Sequence, residues 1–221
     1  LPTALLACFA LAGYGEMQAQ NVPPARPRTE VRNAPAPPAP PRSNFDSEMR
    51  LAVAPNVNIK FCVSDAELKV NGWNRDEVRV FVRDGRKFNF KVLEKDGATS
   101  KPNWVWIAPS GAEAGMLPQP MPDCLSGSSV EIDVPLKASL AITGRSTETT
   151  IDTVRKVEVK IVEGNIALRN ITGGISAFAY QGDLTVENSA GAIAIESTTG
   201  NIIAYDVSPG DIGEIFRVRT N

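Results

Sequence analysis

Three consecutive stretches, VEVKIVEGNIALRNITGG (157–174), ISAFAYQGDLTVENSAGA (175–192) and IAIESTTGNIIAYDVSPG (193–210), align without a gap. Gly164-Asn165-Ile166, Gly182-Asp183-Leu184 and Gly200-Asn201-Ile202 therefore recur every eighteen residues. A fixed interval marks a stacked repeat rather than scattered turns. On either side of each corner, apolar and polar residues alternate with the period of two that belongs to strands. The apolar columns of the first strand are Val157/Ile175/Ile193, Val159/Ala177/Ile195 and Ile161/Ala179/Ser197. Those of the second are Ile166/Leu184/Ile202 and Leu168/Val186/Ala204. Between them, on the expected solvent side, fall Glu158/Ser176/Ala194, Lys160/Phe178/Glu196 and Arg169/Glu187/Tyr205.

A unit this short cannot bury its own apolar side. Stacked about 4.8 Å apart, successive units pair strand on strand in parallel and create a continuous core. The spacing predicts an all-β parallel β-solenoid, β-helix-like, with about 18 residues per rung, in preference to an antiparallel sandwich. Further back, Val57/Ile59/Phe61/Val63, Ala66/Leu68/Val70, Val78/Val80/Val82 and Phe88/Phe90/Val92 also alternate, so 57–156 is expected to form less regular rungs of the same kind. Residues 95–125, with five prolines, form an expected insertion in which Trp104 and Trp106 share one face of a short strand and pack in its core. Phe216 to Asn221 aligns with Ile193 to Thr198 and stops before a corner glycine, so the natural protein is expected to continue. The solenoid domain is assigned to 51–221.

The preceding chain has a different character. Leu1 to Tyr14 is apolar and almost uncharged, and Gly15 to Gln20 contains small residues suited to cleavage. Residues 1–20 are read as a signal peptide lacking its first residues; about 14 apolar residues are too few to span a bilayer, and no transmembrane span is expected. Leu5-Leu6-Ala7-Cys8 leaves lipidation at Cys8 as an alternative. Asn21 to Arg42 holds eight prolines in 22 residues, which makes 21–50 a disordered proline-rich linker.

Composition narrows the chemistry. The 221 residues carry 23 Lys and Arg against 25 Asp and Glu, a net charge of -2, and no histidine. Such a balance disfavours nucleic-acid binding, and the missing histidine removes Ser-His-Asp, Cys-His and His-metal arrangements. No catalytic residue, metal site or cofactor is assigned. With Cys8 lost in the signal, Cys62 and Cys124 form an even pair, expected to be a disulfide in an oxidising compartment, with two buried free thiols as the alternative. Phe178, Tyr180 and Tyr205 are the candidate surface-binding residues, since aromatic faces stack on sugar rings or peptide side chains; burial beneath a cap or loop is the competing reading. Asp183 is given a turn role, and the sequon Asn170-Ile171-Thr172 no modification.

The stretch Val57 to Val82, containing NGWNRDEVRV at 71–80 and followed by the repeated corners, resembles the bacterial β-strand-repeat family of putative adhesins, a domain of unknown function. The likeness covers about residues 55–221 and departs at Asp65-Ala66-Glu67, where the family often has glycine, and at 95–125. It implies an exported protein of the periplasm, cell envelope or cell exterior and supplies no catalytic residues. The expected function is a non-enzymatic adhesin or an envelope-binding or structural module. Its partners would be a cell-surface glycan, peptidoglycan or protein, with self-association through the end rungs. A carbohydrate lyase or hydrolase on a β-helix, and an envelope sensor of peptide or peptidoglycan fragments, are the alternatives.

Overall fold

Alternation along a strand sets which side chains face the core, but the partners and direction of each strand depend on how the chain returns. A computed structural model describes residues 46–95, 101–111, 124–210 and 215–220. The strands are β1 (Ser47–Ala52), β2 (Asn58–Trp73), β3 (Glu77–Arg83), β4 (Phe88–Lys95), β5 (Pro102–Pro109), β6 (Leu125–Ser126), β7 (Ser129–Pro135) and β8 (Ser139–Asp152). They continue as β9 (Lys156–Glu163), β10 (Ile166–Arg169), β11 (Ile175–Gln181), β12 (Leu184–Ala190), β13 (Ile193–Thr199), β14 (Ile202–Ser208) and β15 (Phe216–Thr220). The described residues are all-β and form one mixed, open sheet whose main path runs β1-β3-β7-β2-β8-β9-β11-β13-β15. The expected signal peptide, the lipidation site Cys8 and most of the linker lie outside the described residues. Ser47 to Arg50, assigned to the linker, belong to β1.

From β8 onward the pairings are parallel, in two columns. In the first, Val157 opposes Ile175 and Ile175 opposes Ile193, and Phe216 opposes Ile193 in the register read from the sequence. In the second, Leu68 opposes Thr149, followed by Ile166, Leu184 and Ile202. Val157, Ile175, Ile193, Leu68, Ile166 and Leu184 join one core cluster, to which Ile202 contributes as a partly buried member, whereas Phe216 is exposed. Ala204, by contrast, is exposed: among the described residues β14 pairs with β12 alone.

The corners explain how the chain passes from one column to the other. β2 and β8 turn at Asp65 and Ser146, both in the left-handed region at φ 54° and 51°. In β2 the buried positions accordingly switch from Ile59, Phe61 and Val63 to Ala66, Leu68 and Val70. Thus Asp65, where the family resemblance lapses, takes a conformation that Asp tolerates and glycine takes freely. Later corners use glycine: a Cβ built on Gly164, Gly182 or Gly200 would stand 2.2, 2.2 or 2.1 Å from the backbone oxygen of Thr147, Gly164 or Gly182. Polar ladders run beside them. The Asp183 N–H donates to Asn165 Oδ1 (2.8 Å) and the Asn201 N–H to Asp183 Oδ1 (2.8 Å). At the second turn, Asn188 Nδ2 donates to Asn170 Oδ1 (2.6 Å) and Asn170 Nδ2 to Asp152 Oδ1 (2.7 Å), which engages the sequon asparagine.

The amino-terminal half departs from a purely parallel stack. β1 pairs antiparallel with β3, β3 with β7 and β4 with β5, so 57–156 is not simply a run of further rungs. Alternation alone does not encode strand direction, which is why the sequence reading missed this. Within 95–125, β5 pairs parallel with β2 and places Val105 and Ile107 in the core. Trp104 and Trp106 consequently face outward rather than packing inside: Trp104 is 43% exposed, and Lys91 Nζ lies 5.0 Å from the centre of a Trp106 ring. Cys62 and Cys124 form the expected disulfide, with Cα atoms 4.6 Å apart, beside the parallel pairing of Val63 with Leu125.

Candidate functional site

The outward faces of β5, β2, β8 and β9 combine into one shallow groove of about 340 Å³. Its floor and walls follow from the register. One cross-strand row runs Trp104, Asn58, Ser139, Lys156; the next runs Trp106, Lys60, Ala141, Glu158. Ser139 and Ala141 are short, so β8 forms a depression between the tryptophan side and the charged side of β9. Three strand spacings separate the two walls, a width of roughly 14 Å.

Basic groups dominate this depression. Among the described residues, Lys60, Arg155 and Lys156 line it together with one acid, Glu158. Arg155 is held by donation from Nε to the Lys137 carbonyl (3.1 Å) and from its guanidinium to Ser139 Oγ. Glu158 accepts a hydrogen bond from Lys160 Nζ at 2.8 Å. That bond, the charge of Lys160 and the nearby charges of Lys156 and Lys60 hold the Glu158 carboxyl below its ordinary value of 4.5. The lone acid is thus ionised and already matched, while Lys60, Arg155 and Lys156 leave the groove net positive.

The aromatic trio proposed from the sequence is divided between the columns. Phe178 and Tyr180 share the outward face of β11, with Phe178 half-buried between Lys160 and Glu196 and Tyr180 exposed. Tyr205 lies on β14, in the other column, opposite Glu187. A hydrogen bond to the Glu187 carboxylate raises the pKa of its hydroxyl, and Glu187 also meets Arg169 Nε at 3.0 Å.

One pairing of acids was not foreseen. Glu67 and Glu148 lie opposite each other on β2 and β8, outside the columns the repeat alignment could compare. Each has its own partner: Lys69 stands 2.9 Å from Glu67, and the Asn165 backbone N–H donates to Glu148 at 3.3 Å. Among the described residues, no group of three or more His, Cys, Asp and Glu could hold a metal ion. No helix among them is long and apolar enough to cross a membrane. A second depression, of about 500 Å³, follows Asn170, Asn188 and Asp206, where the two asparagines bond to each other.

No family model matches the chain, and no curated protein matches it. Among solved structures it is similar to the "putative cell adhesion protein" of Clostridium sporogenes, at 13% identity and TM-score 0.44, over 74% of this chain and 99% of that one. It is also similar to the "putative lipid binding protein" of Parabacteroides distasonis, at 11% identity and TM-score 0.32, over 75% and 76% of the two chains. A "putative adhesin" of Parabacteroides merdae matches at 10% identity and TM-score 0.26, over 81% and 96%. At such identities and TM-scores these likenesses assign no ligand to this chain.

Proposed function

We propose that this chain is an exported, non-enzymatic β-solenoid of the adhesin-like class suggested by its sequence, binding a component of the cell envelope or cell surface through its outward strand faces. The carrying observation is the parallel register of β9, β11 and β13 and of β10, β12 and β14, each offset by eighteen residues. Stacked coils of that kind expose long rows of side chains and need no positioned reaction centre. The Cys62–Cys124 disulfide supports export, because such bonds persist in oxidising compartments. Ionic and hydrogen-bonded partners at Glu67, Glu148, Glu158 and Asp183 favour structural roles for these acids.

The test is binding of the purified full chain to envelope and cell-surface preparations. Saturable binding without release of products supports the proposal; absence of binding to every preparation overturns it. Among the described residues, the Glu67–Glu148 juxtaposition is the feature that favours an enzyme. Glycan cleavage abolished by Glu148→Gln would establish that reading instead. The exposed Ile203, Phe216 and Val218 on β14 and β15 support self-association through this end, to be checked by sedimentation across a concentration series.

A further inference from the structure

We infer that the groove between Trp104 and Lys156 is the ligand site, and that its ligand is a carboxylated saccharide. This rests on the proposed function, that the chain is a binding protein, and deepens it. Trp104 presents a large aromatic surface, 43% exposed, at one wall. Nothing in the core requires a tryptophan there, since Val105 and Ile107 supply the inward contacts of β5. Aromatic surfaces take up the apolar faces of sugar rings. Across the depressed floor of Ser139 and Ala141 stand Arg155 and Lys156, and Lys60 rises from β2 in the row of Ala141. Cations in a partly enclosed groove select an anion, and an arginine fixed by its own hydrogen bonds loses little freedom on receiving a carboxylate.

The geometry also separates this ligand from neighbouring classes. A neutral sugar would use the tryptophan but leave the positive wall unmatched. Nucleic acid would need a far longer basic track than the three cations that line this groove among the described residues. Glu158, placed beside the cations and tied to Lys160, disfavours dense anions while allowing one carboxylate per ring. The width of roughly 14 Å admits a short saccharide rather than a folded partner.

Isothermal titration of the full chain with pentagalacturonate, a muropeptide carrying free carboxylates and an uncharged pentaose tests the assignment. Binding of either acidic probe, weak or absent binding of the neutral one, and weakening on raising salt are expected. The acidic probe that binds distinguishes a uronate glycan from a cell-wall source. Trp104→Ala is expected to weaken binding by about three- to tenfold, the loss of one stacked ring. Lys156→Glu should weaken it similarly by reversing one charge, with both variants keeping the parent melting temperature because the side chains are outward. Unchanged affinity in both variants, or equal binding of the neutral pentaose, overturns the inference. If no saccharide binds but the chain still binds envelope preparations, the groove assignment fails and the proposed function survives. Loss of every kind of binding removes both.

Discussion

Replacing Gly182 with alanine tests the stacked corners most directly. The new Cβ would stand 2.2 Å from the Gly164 oxygen and 2.7 Å from its carbonyl carbon, both backbone atoms of the adjacent layer. No side-chain rotation can relieve that contact, and φ at Gly182 is +142°, a region costing a residue with a Cβ about 1–3 kcal/mol. Separating the layers would strain the bonds from Gly182 N–H to Thr199 O (2.9 Å) and from Gly164 N–H to Gln181 O (3.0 Å). Each is worth about 1 kcal/mol. Together these effects give a destabilisation of roughly 3–5 kcal/mol. Gly111→Ala is the control: φ is +93°, but among the described residues nothing lies within 4 Å of its Cβ, so only the backbone cost applies. Urea unfolding followed by far-ultraviolet circular dichroism should place Gly182→Ala at least about 1–2 kcal/mol below Gly111→Ala. Equal losses in the two variants would refute the close approach of layers at the corner.

Other consequences separate core, hydroxyl, covalent and charge effects. Leu184→Asp puts a carboxylate between Ile166 and Ile202 at a fully buried position and should cost more than about 4 kcal/mol; a folded variant with near-parent stability in denaturant would contradict the ladder. Thr149 is 2% exposed, and its Oγ1 has no partner among the described residues, so Thr149→Val should stabilise by about 1 kcal/mol in the same assay; a loss of stability would argue against an unpartnered hydroxyl. Reducing Cys62–Cys124, whose residues are 62 apart in sequence, should remove about 4 kcal/mol on the chain-entropy model, seen as a lower urea midpoint with reductant and not in the Cys62→Ser/Cys124→Ser variant. Because the folded pKa of Glu158 is lowered, its stabilising contribution is present above the unfolded value of 4.5 and disappears as pH falls through the folded value. Glu158→Gln should therefore show a smaller fall in melting temperature between about pH 5 and 3, and an identical fall would rule out that contribution.

The amino-acid order by itself determined the facing of side chains and the neighbours within the repeat. Equal repeat length means that position 166 meets 184 and then 202 whenever coils stack, so the aliphatic ladder is legible in the sequence. The cysteine pair was legible too, because two cysteines, Cys62 and Cys124, lie beyond the leader expected from the sequence. The groove was not. Its walls come from Trp104 and Lys156, with Asn58 and Ser139 between them, and only the return of β5 alongside β2 makes these distant positions neighbours. The antiparallel entries of β1, β3 and β4 were hidden for the same reason. Period-two alternation records which side of a strand is dry, whereas direction and partnership are decided by where the intervening chain can bury its remaining apolar side.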